Sequence, residues 1–94
     1  MPHPIRFDQI EAVGVITLDN PPVNAFSLSQ RIGVSEAITA GLQDPTIQAF
    51  VICGSGRMFS AGADIREFDT GVAAESPTLL DLISLIEDSP KPVV

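Results

Sequence analysis

The sequence predicts an α/β fold. Two short runs with strand character open the chain, a capped segment with helical spacing follows, and a continuously apolar run comes next within the length of one crossover connection. Residues 5–10 (Ile-Arg-Phe-Asp-Gln-Ile) alternate apolar with polar, while residues 13–18 are β-branched and more continuously apolar, with Gly14 near the turn between them. Together they read as a hairpin entering a sheet. Asp19-Asn20-Pro21-Pro22 stops the second strand, because proline has no N–H to give a ladder and restricts the residue before it. A loop follows.

Ser27 with Gln30 three positions later reads as a capping box, and Leu28, Ile32, Ser35, Ile38 and Leu42 fall near one helical face, which predicts a helix over residues 28–43. Gly33 and Gly41 each cost that helix about 1 kcal/mol relative to alanine, so packing of the Ile32 and Ile38 stripe must hold it. Pro45 ends it. Residues 47–53 have an unbroken apolar centre, as in a parallel strand covered on both faces. Strand, helix and strand then form one crossover unit, right-handed in about 98% of such connections, and the loops after the two strands share one rim of the sheet. In the second of these loops, residues 54–65, Asp64 is placed to cap a short helical turn through Phe68. Residues 70–76 form a small, polar, mobile connection. Ser76 as cap and Pro77 at the first helical position open a last helix over residues 78–88. Its Leu79, Leu80, Leu82, Ile83, Leu85 and Ile86 cover most of the circumference, so it needs burial on more than one side. Pro90-Lys91-Pro92 breaks it, and Val93-Val94 opens a further strand.

The 94 residues, 45% of them hydrophobic, bound the chain to one small domain. Twelve acidic residues against five basic ones give a formal charge of -7, and the arginines and Lys91 are scattered. No basic patch exists to neutralise nucleic-acid phosphates. No run approaches the roughly 18 apolar residues that cross a bilayer, and the first residues lack the pattern of a secretory signal. A soluble cytoplasmic protein is expected, with a peroxisome equally compatible. The lone Cys53 lies in an apolar run and reads as a small buried hydrophobe, and the only histidine, His3, has no companions to make a metal site.

Among the motifs, Gly54-Ser55-Gly56 after a strand suggests dinucleotide binding, but Phe59 stands where the third glycine would fall. Asp64, Glu67 and Asp69 crowd one stretch and could supply general acid or base, although solvated turns and caps look alike. Ser60 has no histidine to activate it. The informative segment is Phe59-Ser60-Ala61-Gly62-Ala63-Asp64-Ile65, where the chain is expected to meet its ligand. Small side chains let a ligand approach the backbone, and glycine permits conformations that aim N–H groups at it. Such donors, aimed at a developing oxyanion, typically each contribute about 10²- to 10³-fold in rate. A tight turn that small residues merely fit is the competing reading.

Asn20-Pro21-Pro22-Val23-Asn24-Ala25, followed by Phe59-Ser60-Ala61-Gly62-Ala63-Asp64-Ile65-Arg66-Glu67 and closing on Lys91-Pro92-Val93-Val94, resembles the crotonase (enoyl-CoA hydratase/isomerase) family. The proline-rich form of the first motif is similar to the hydratase part of bifunctional enzymes that also carry a 3-hydroxyacyl-CoA dehydrogenase. The resemblance implies a crotonase-like β-β-α spiral, assembled as trimers, that binds acyl-CoA thioesters in fatty-acid β-oxidation and stabilises their enolate in a backbone oxyanion hole. It needs no cofactor beyond the coenzyme A of the substrate. Ala63 matches the first oxyanion-hole N–H, and Val23, Ala25, Ala61, Gly62, Asp64 and Ile65 match the region that folds round the nucleotide and pantetheine. Asp64 is then structural, not a base. By the same resemblance residues 1–94 are the N-terminal portion of one domain, short of the second oxyanion-hole glycine and of the acid–base glutamates, and inactive alone. Hydrolysis, dehalogenation and decarboxylation use the same loop in other family members, and an α/β interaction module presenting the 79–86 face is the alternative outside enzymes.

Overall fold

The structure is a computed structural model and describes residues 5–94, so His3 lies outside the described residues. The hairpin pairs β1 (Ile5–Ile10) antiparallel with β2 (Val13–Leu18), and the crossover helix α1 (Leu28–Leu42) returns the chain to β3 (Ala49–Gly54), parallel to β2, in the order β1-β2-β3. The expected further strand starts beyond β3. Val93 bridges Phe50 in parallel, the Phe50 N–H donates to the Pro92 carbonyl, and the Val94 N–H donates back to Phe50. The β3 strand is therefore paired along both edges, but the expected cover on both faces is not there among the described residues: Phe50 alone is fully buried, and Val51, Ile52 and Cys53 are half-buried. It begins at Ala49, not at residue 47, because the Gln48 N–H goes to the Ala12 carbonyl and the Ile47 N–H closes a turn on Asp44. Ile47 is nonetheless buried in the core with Ile16, Leu18, Val34, Ile38 and Phe50. Cys53 is free and half-buried, its Sγ 3.6 Å from the Thr17 hydroxyl on β2.

Gly14 stands near the hairpin turn, as expected, without itself making it. Glu11 makes the turn, with φ 54°, whereas Gly14 lies inside β2 opposite Gln9, where a Cβ would stand 2.9 Å from the Phe7 ring. The buried face of α1 is only in part the expected stripe. Gln30, Arg31, Gly33, Val34, Ala37, Ile38 and Gly41 are buried, while Ile32 is 37% exposed. The helix lies so near the sheet that a Cβ at Gly33 would be 2.6 Å from Ile5, and one at Gly41 would be 2.3 Å from the Phe50 ring. Small residues on α1 thus receive large ones from the sheet, and the glycines that weaken the isolated helix let it dock. At its start, the Ser27 hydroxyl accepts from the Gln30 N–H, but the reciprocal half of the capping box is missing: the Ser27 N–H donates to the Ala25 carbonyl. The side-chain amide of Gln30, both Nε2 and Oε1, is fully buried with no hydrogen-bond partner among the described residues. Lys91 satisfies the other end of α1, donating to the Gly41 and Asp44 carbonyls at 2.8 and 2.9 Å, where a cation also complements the helix dipole.

The last helix, α2 (Leu79–Glu87), is capped by Thr78 and not by Ser76. Thr78 and Asp81 form a complete capping box, and Pro77 precedes the cap, joined to Ser76 by a cis peptide. The connection at residues 70–76 is not featureless, since Val72–Ala74 make a 3₁₀ turn entered through Gly71 at φ 80°. In α2 only Leu82 is fully buried; Leu79, Leu85 and Ile86 are half-buried, and Leu80 is 76% exposed.

Candidate functional site

The parallel register sets Leu18 beside Gly54, so the loops over residues 19–27 and 55–64 leave the sheet together. They are then joined by hydrogen bonds. The Ala61 N–H donates to Val23 and the Phe26 N–H to Gly62, and a parallel bridge pairs Phe26 with Ala63. Gly54 lets the second loop fold back over its own strand, since a Cβ there would stand 2.3 Å from the Met58 carbonyl.

Asn24 is the clasp between the two loops. It is buried at φ 53°, a left-handed conformation that asparagine tolerates better than most residues. Its Oδ1 accepts from the Asn20 N–H at 2.8 Å, and its Nδ2 donates to the Met58 carbonyl at 2.9 Å. Its carbonyl accepts from the Ser60 hydroxyl at 2.7 Å, and Ser60 Oγ in turn accepts from the Gly62 N–H at 3.0 Å. Ser60 is therefore part of the loop's internal bonding, with no base beside it.

Between the loops lies a cleft of about 500 Å³. Pro21, Pro22, Val23 and Ala25 form one wall, and Ala61, Ala63, Asp64, Ile65 and Arg66 the other. Of the residues that the family resemblance matches to the site, Val23, Ala25, Ala61, Ala63, Asp64 and Ile65 line it and Gly62 does not; of the segment 59–65, Phe59 and Ser60 also lie outside its lining. Gly62 turns the chain at φ 99° and presents its carbonyl to Phe26. The bridge uses the Phe26 N–H and the Gly62 carbonyl, which leaves the Ala63 N–H without an acceptor among the described residues.

Asp64 is 6% exposed and caps the 3₁₀ turn Ile65–Glu67. Its Oδ1 accepts from the Arg66 N–H at 3.0 Å and from Arg66 Nε at 2.9 Å, and its Oδ2 from Arg66 Nη2 at 2.7 Å. Those side-chain bonds hold its carboxyl below the ordinary value of 3.8 against the opposing effect of desolvation. A carboxylate so committed is a cap and an ion-pair partner and a poor proton acceptor. Glu67 is engaged elsewhere: Oε1 accepts from Arg31 Nη1 at 2.9 Å and Oε2 from the Leu28 N–H at 2.9 Å. Asp69 is exposed. Among the described residues the carboxyls of Asp64, Glu67 and Asp69 thus do not bond to one another.

Asn24 and Arg31 hold the site; in the sequence Asn24 stands only as a member of the 20–25 motif with no role of its own, and Arg31 only as one of the scattered basic residues. A polar residue in a loop and a charged one off the apparent apolar stripe both read as solvated. The available signal was local: asparagine between valine and alanine after two prolines suits a left-handed turn. Among the described residues no group of three or more metal-ligating side chains is assembled, and no helix is long and apolar enough to cross a membrane.

A parallel crossover unit carrying a cleft over its strand ends, walled by small residues and backbone groups, is an arrangement in which α/β domains commonly bind small molecules. Comparison with known proteins narrows that class. The enoyl-CoA hydratase/isomerase family profile matches residues 8–94. A peroxisomal bifunctional enzyme of Danio rerio is 46% identical over 90 residues, covering 95% of this chain and 12% of the relative. A Bacillus subtilis protein named as a probable enoyl-CoA hydratase is 38% identical over 87 residues, covering 87% of this chain and 34% of the relative. The crystal structure of an enoyl-CoA hydratase from Mycobacterium marinum superposes with TM-score 0.81 at 28% identity, covering 96% of this chain and 46% of that one. The chain belongs to the crotonase, or enoyl-CoA hydratase/isomerase, family, and its fold is a portion of the crotonase fold. It spans 12% of the length of the zebrafish relative and 34% of the bacterial one.

Proposed function

We propose that the cleft receives an acyl-CoA thioester for enoyl-CoA hydration or isomerisation in fatty-acid β-oxidation, with the Ala63 N–H as one donor to the thioester oxygen. The observation that carries this reading is the pairing of the two loops around an N–H that has no acceptor of its own, on a wall of the cleft built from small residues. A donor already fixed by the Phe26 bridge needs no reorganisation when charge develops on the oxygen, which is where such groups act most strongly. Val23, Ala25, Ala61, Asp64 and Ile65 then wall the nucleotide and pantetheine, and Gly62 supports that wall through its turn. No cofactor is required beyond the coenzyme A of the substrate. The protein assembles as a homotrimer, in the cytoplasm or, in a host that has them, in peroxisomes, the compartment named for the zebrafish relative.

Calorimetry with acetoacetyl-CoA on the protein that carries this chain tests the reading, and absence of binding rejects it. Replacing the Ala63 amide by a backbone ester removes the donor and leaves the side chain. The expected result is a loss of about 10²- to 10³-fold in kcat with little change in KM. An undiminished kcat would remove Ala63 from the mechanism.

A further inference from the structure

We propose that Arg31 is a positioning residue for this site: its buried guanidinium holds the two walls of the cleft at a fixed separation and so fixes the Ala63 N–H. The proposal rests on the acyl-thioester reading of the cleft. Arg31 belongs to α1 and its side chain is 3% exposed, an unusual place for a permanent charge. Every arm of its fork is occupied. Nη1 donates to the Phe26 carbonyl at 3.1 Å and to Glu67 Oε1 at 2.9 Å, Nε donates to the Pro77 carbonyl at 2.7 Å, and Nη2 donates to Val72 at 3.0 Å and Glu75 at 3.5 Å.

Two of these partners, Phe26 and Glu67, lie outside the lining of the cleft but directly follow residues of its opposite walls, Ala25 and Arg66. Phe26 follows Ala25 on the first wall, and its N–H makes the bond to Gly62 that sets Ala63 in register. Glu67 ends the 3₁₀ turn that Asp64 caps on the second wall, and its other oxygen is held by the first N–H of α1. A single planar group therefore sets the carbonyl that follows one wall and the carboxylate that follows the other relative to the same helix. The carbonyls of Val72, Glu75 and Pro77 close over it and keep it in place. An ammonium could supply the charge but not several donors in a fixed plane, so lysine cannot reproduce the geometry. Because a displacement of about 1 Å of a catalytic group can cost about 10²-fold in rate, such a device acts on turnover more than on binding.

The test compares wild type, Arg31→Lys and Glu67→Gln in the full-length protein, using crotonyl-CoA hydration, acetoacetyl-CoA binding and amide hydrogen exchange. For folded Arg31→Lys the proposal expects kcat to fall by about 10- to 100-fold with KM within about threefold. The Phe26 N–H should exchange about tenfold faster while the amides in the middle of α1 are unchanged. Glu67→Gln keeps the shape and an acceptor for Leu28, so it should fold and show the same pattern, weaker. If wild type binds and turns over and either folded variant keeps full kcat and unchanged Phe26 exchange, the positioning role is overturned and the site reading stands. Equal loss of turnover and of folded fraction, with full kcat per folded molecule, overturns it as well, because that is the signature of stability alone. Failure of wild type to bind acetoacetyl-CoA overturns both.

Discussion

Asn24 holds φ at 53°, in a region that costs most L-residues about 1–2 kcal/mol, and from that position both ends of its amide reach other parts of the site. Replacing it with alanine removes the bonds to Asn20 and Met58 and retains an unfavourable backbone, so Asn24→Ala is expected to destabilise by about 2–4 kcal/mol. Asn24→Gly relieves the backbone and loses only the bonds, so urea denaturation should find it intermediate. A glycine variant as stable as wild type would show that the side chain clasps nothing. Asp64 gives a second prediction at this scale, through pH. Its folded carboxyl is held below 3.8 by Arg66, so the charged form stabilises the fold. That contribution is complete above the ordinary value and is lost as pH falls through the lowered one. Asp64→Asn should therefore melt below wild type at pH 5 to 7, and the gap should close as pH falls below 3.8. In the full-length protein the same substitution should leave the pH dependence of kcat unchanged over the neutral range. A kcat titration that disappears with the Asp64 carboxylate would make Asp64 a base after all.

At the scale of elements, α1 is held by its fit to the sheet. Alanine at Gly41 would gain about 1 kcal/mol of helix propensity but would set a Cβ 2.3 Å from the Phe50 ring, which is fully buried and cannot swing away. Overpacking of this kind costs about 1–3 kcal/mol, so Gly41→Ala should lower Tm, and adding Phe50→Leu should recover part of the loss. If Gly41→Ala raised Tm, the close approach would be wrong. The same fit explains what the sequence made legible. Strand β2, the parallel run of β3 and the proline-terminated loop were readable because β-branched runs and prolines act locally. The face of α1 was legible only in part: Ile38 is buried as expected, but apolar periodicity marks large residues, and here Gly33, Ala37 and Gly41 share the contact with Val34 and Ile38 while Ile32 is exposed. Gly14 stands near the turn as expected, and its missing side chain makes room for Phe7 across the strand pair. The cap of α2 was displaced because Ser76-Pro77 matches the start signal as well as Thr78 does, and only the Asp81 carboxylate bonded to the Thr78 N–H decides between them. At the site, the small-residue wall was legible as composition. Asn24 and Arg31 were not, since their worth lies in carbonyls distant in sequence.

Across the whole molecule, the core lies between α1 and the sheet with Leu82 of α2 as its outlying member, and apolar surface is left outside it. Ile10, Phe59, Ile65, Phe68, Leu80 and Ile83 are all exposed, so the purified 94-residue chain carries more than the scattered apolar residues of an ordinary surface. On α2 the exposure follows helical geometry: Leu80 and Ile83 are three residues apart and share one face, turned away from buried Leu82. Burying such a face returns about 25 cal/mol per Å², enough for reversible self-association though not for one defined interface. Size-exclusion chromatography with light scattering should therefore find a mass that rises with concentration between about 10 and 200 μM, the range that weak contacts populate. Leu80→Glu with Ile83→Lys should hold the chain as a monomer over the same range. As both positions lie outside the core, the double variant should change unfolding free energy by no more than about 1 kcal/mol. A wild-type chain that stays monomeric throughout would mean that this face is too small to drive association. Association persisting in the double variant would move its origin to the exposed loop residues Phe59, Ile65 and Phe68.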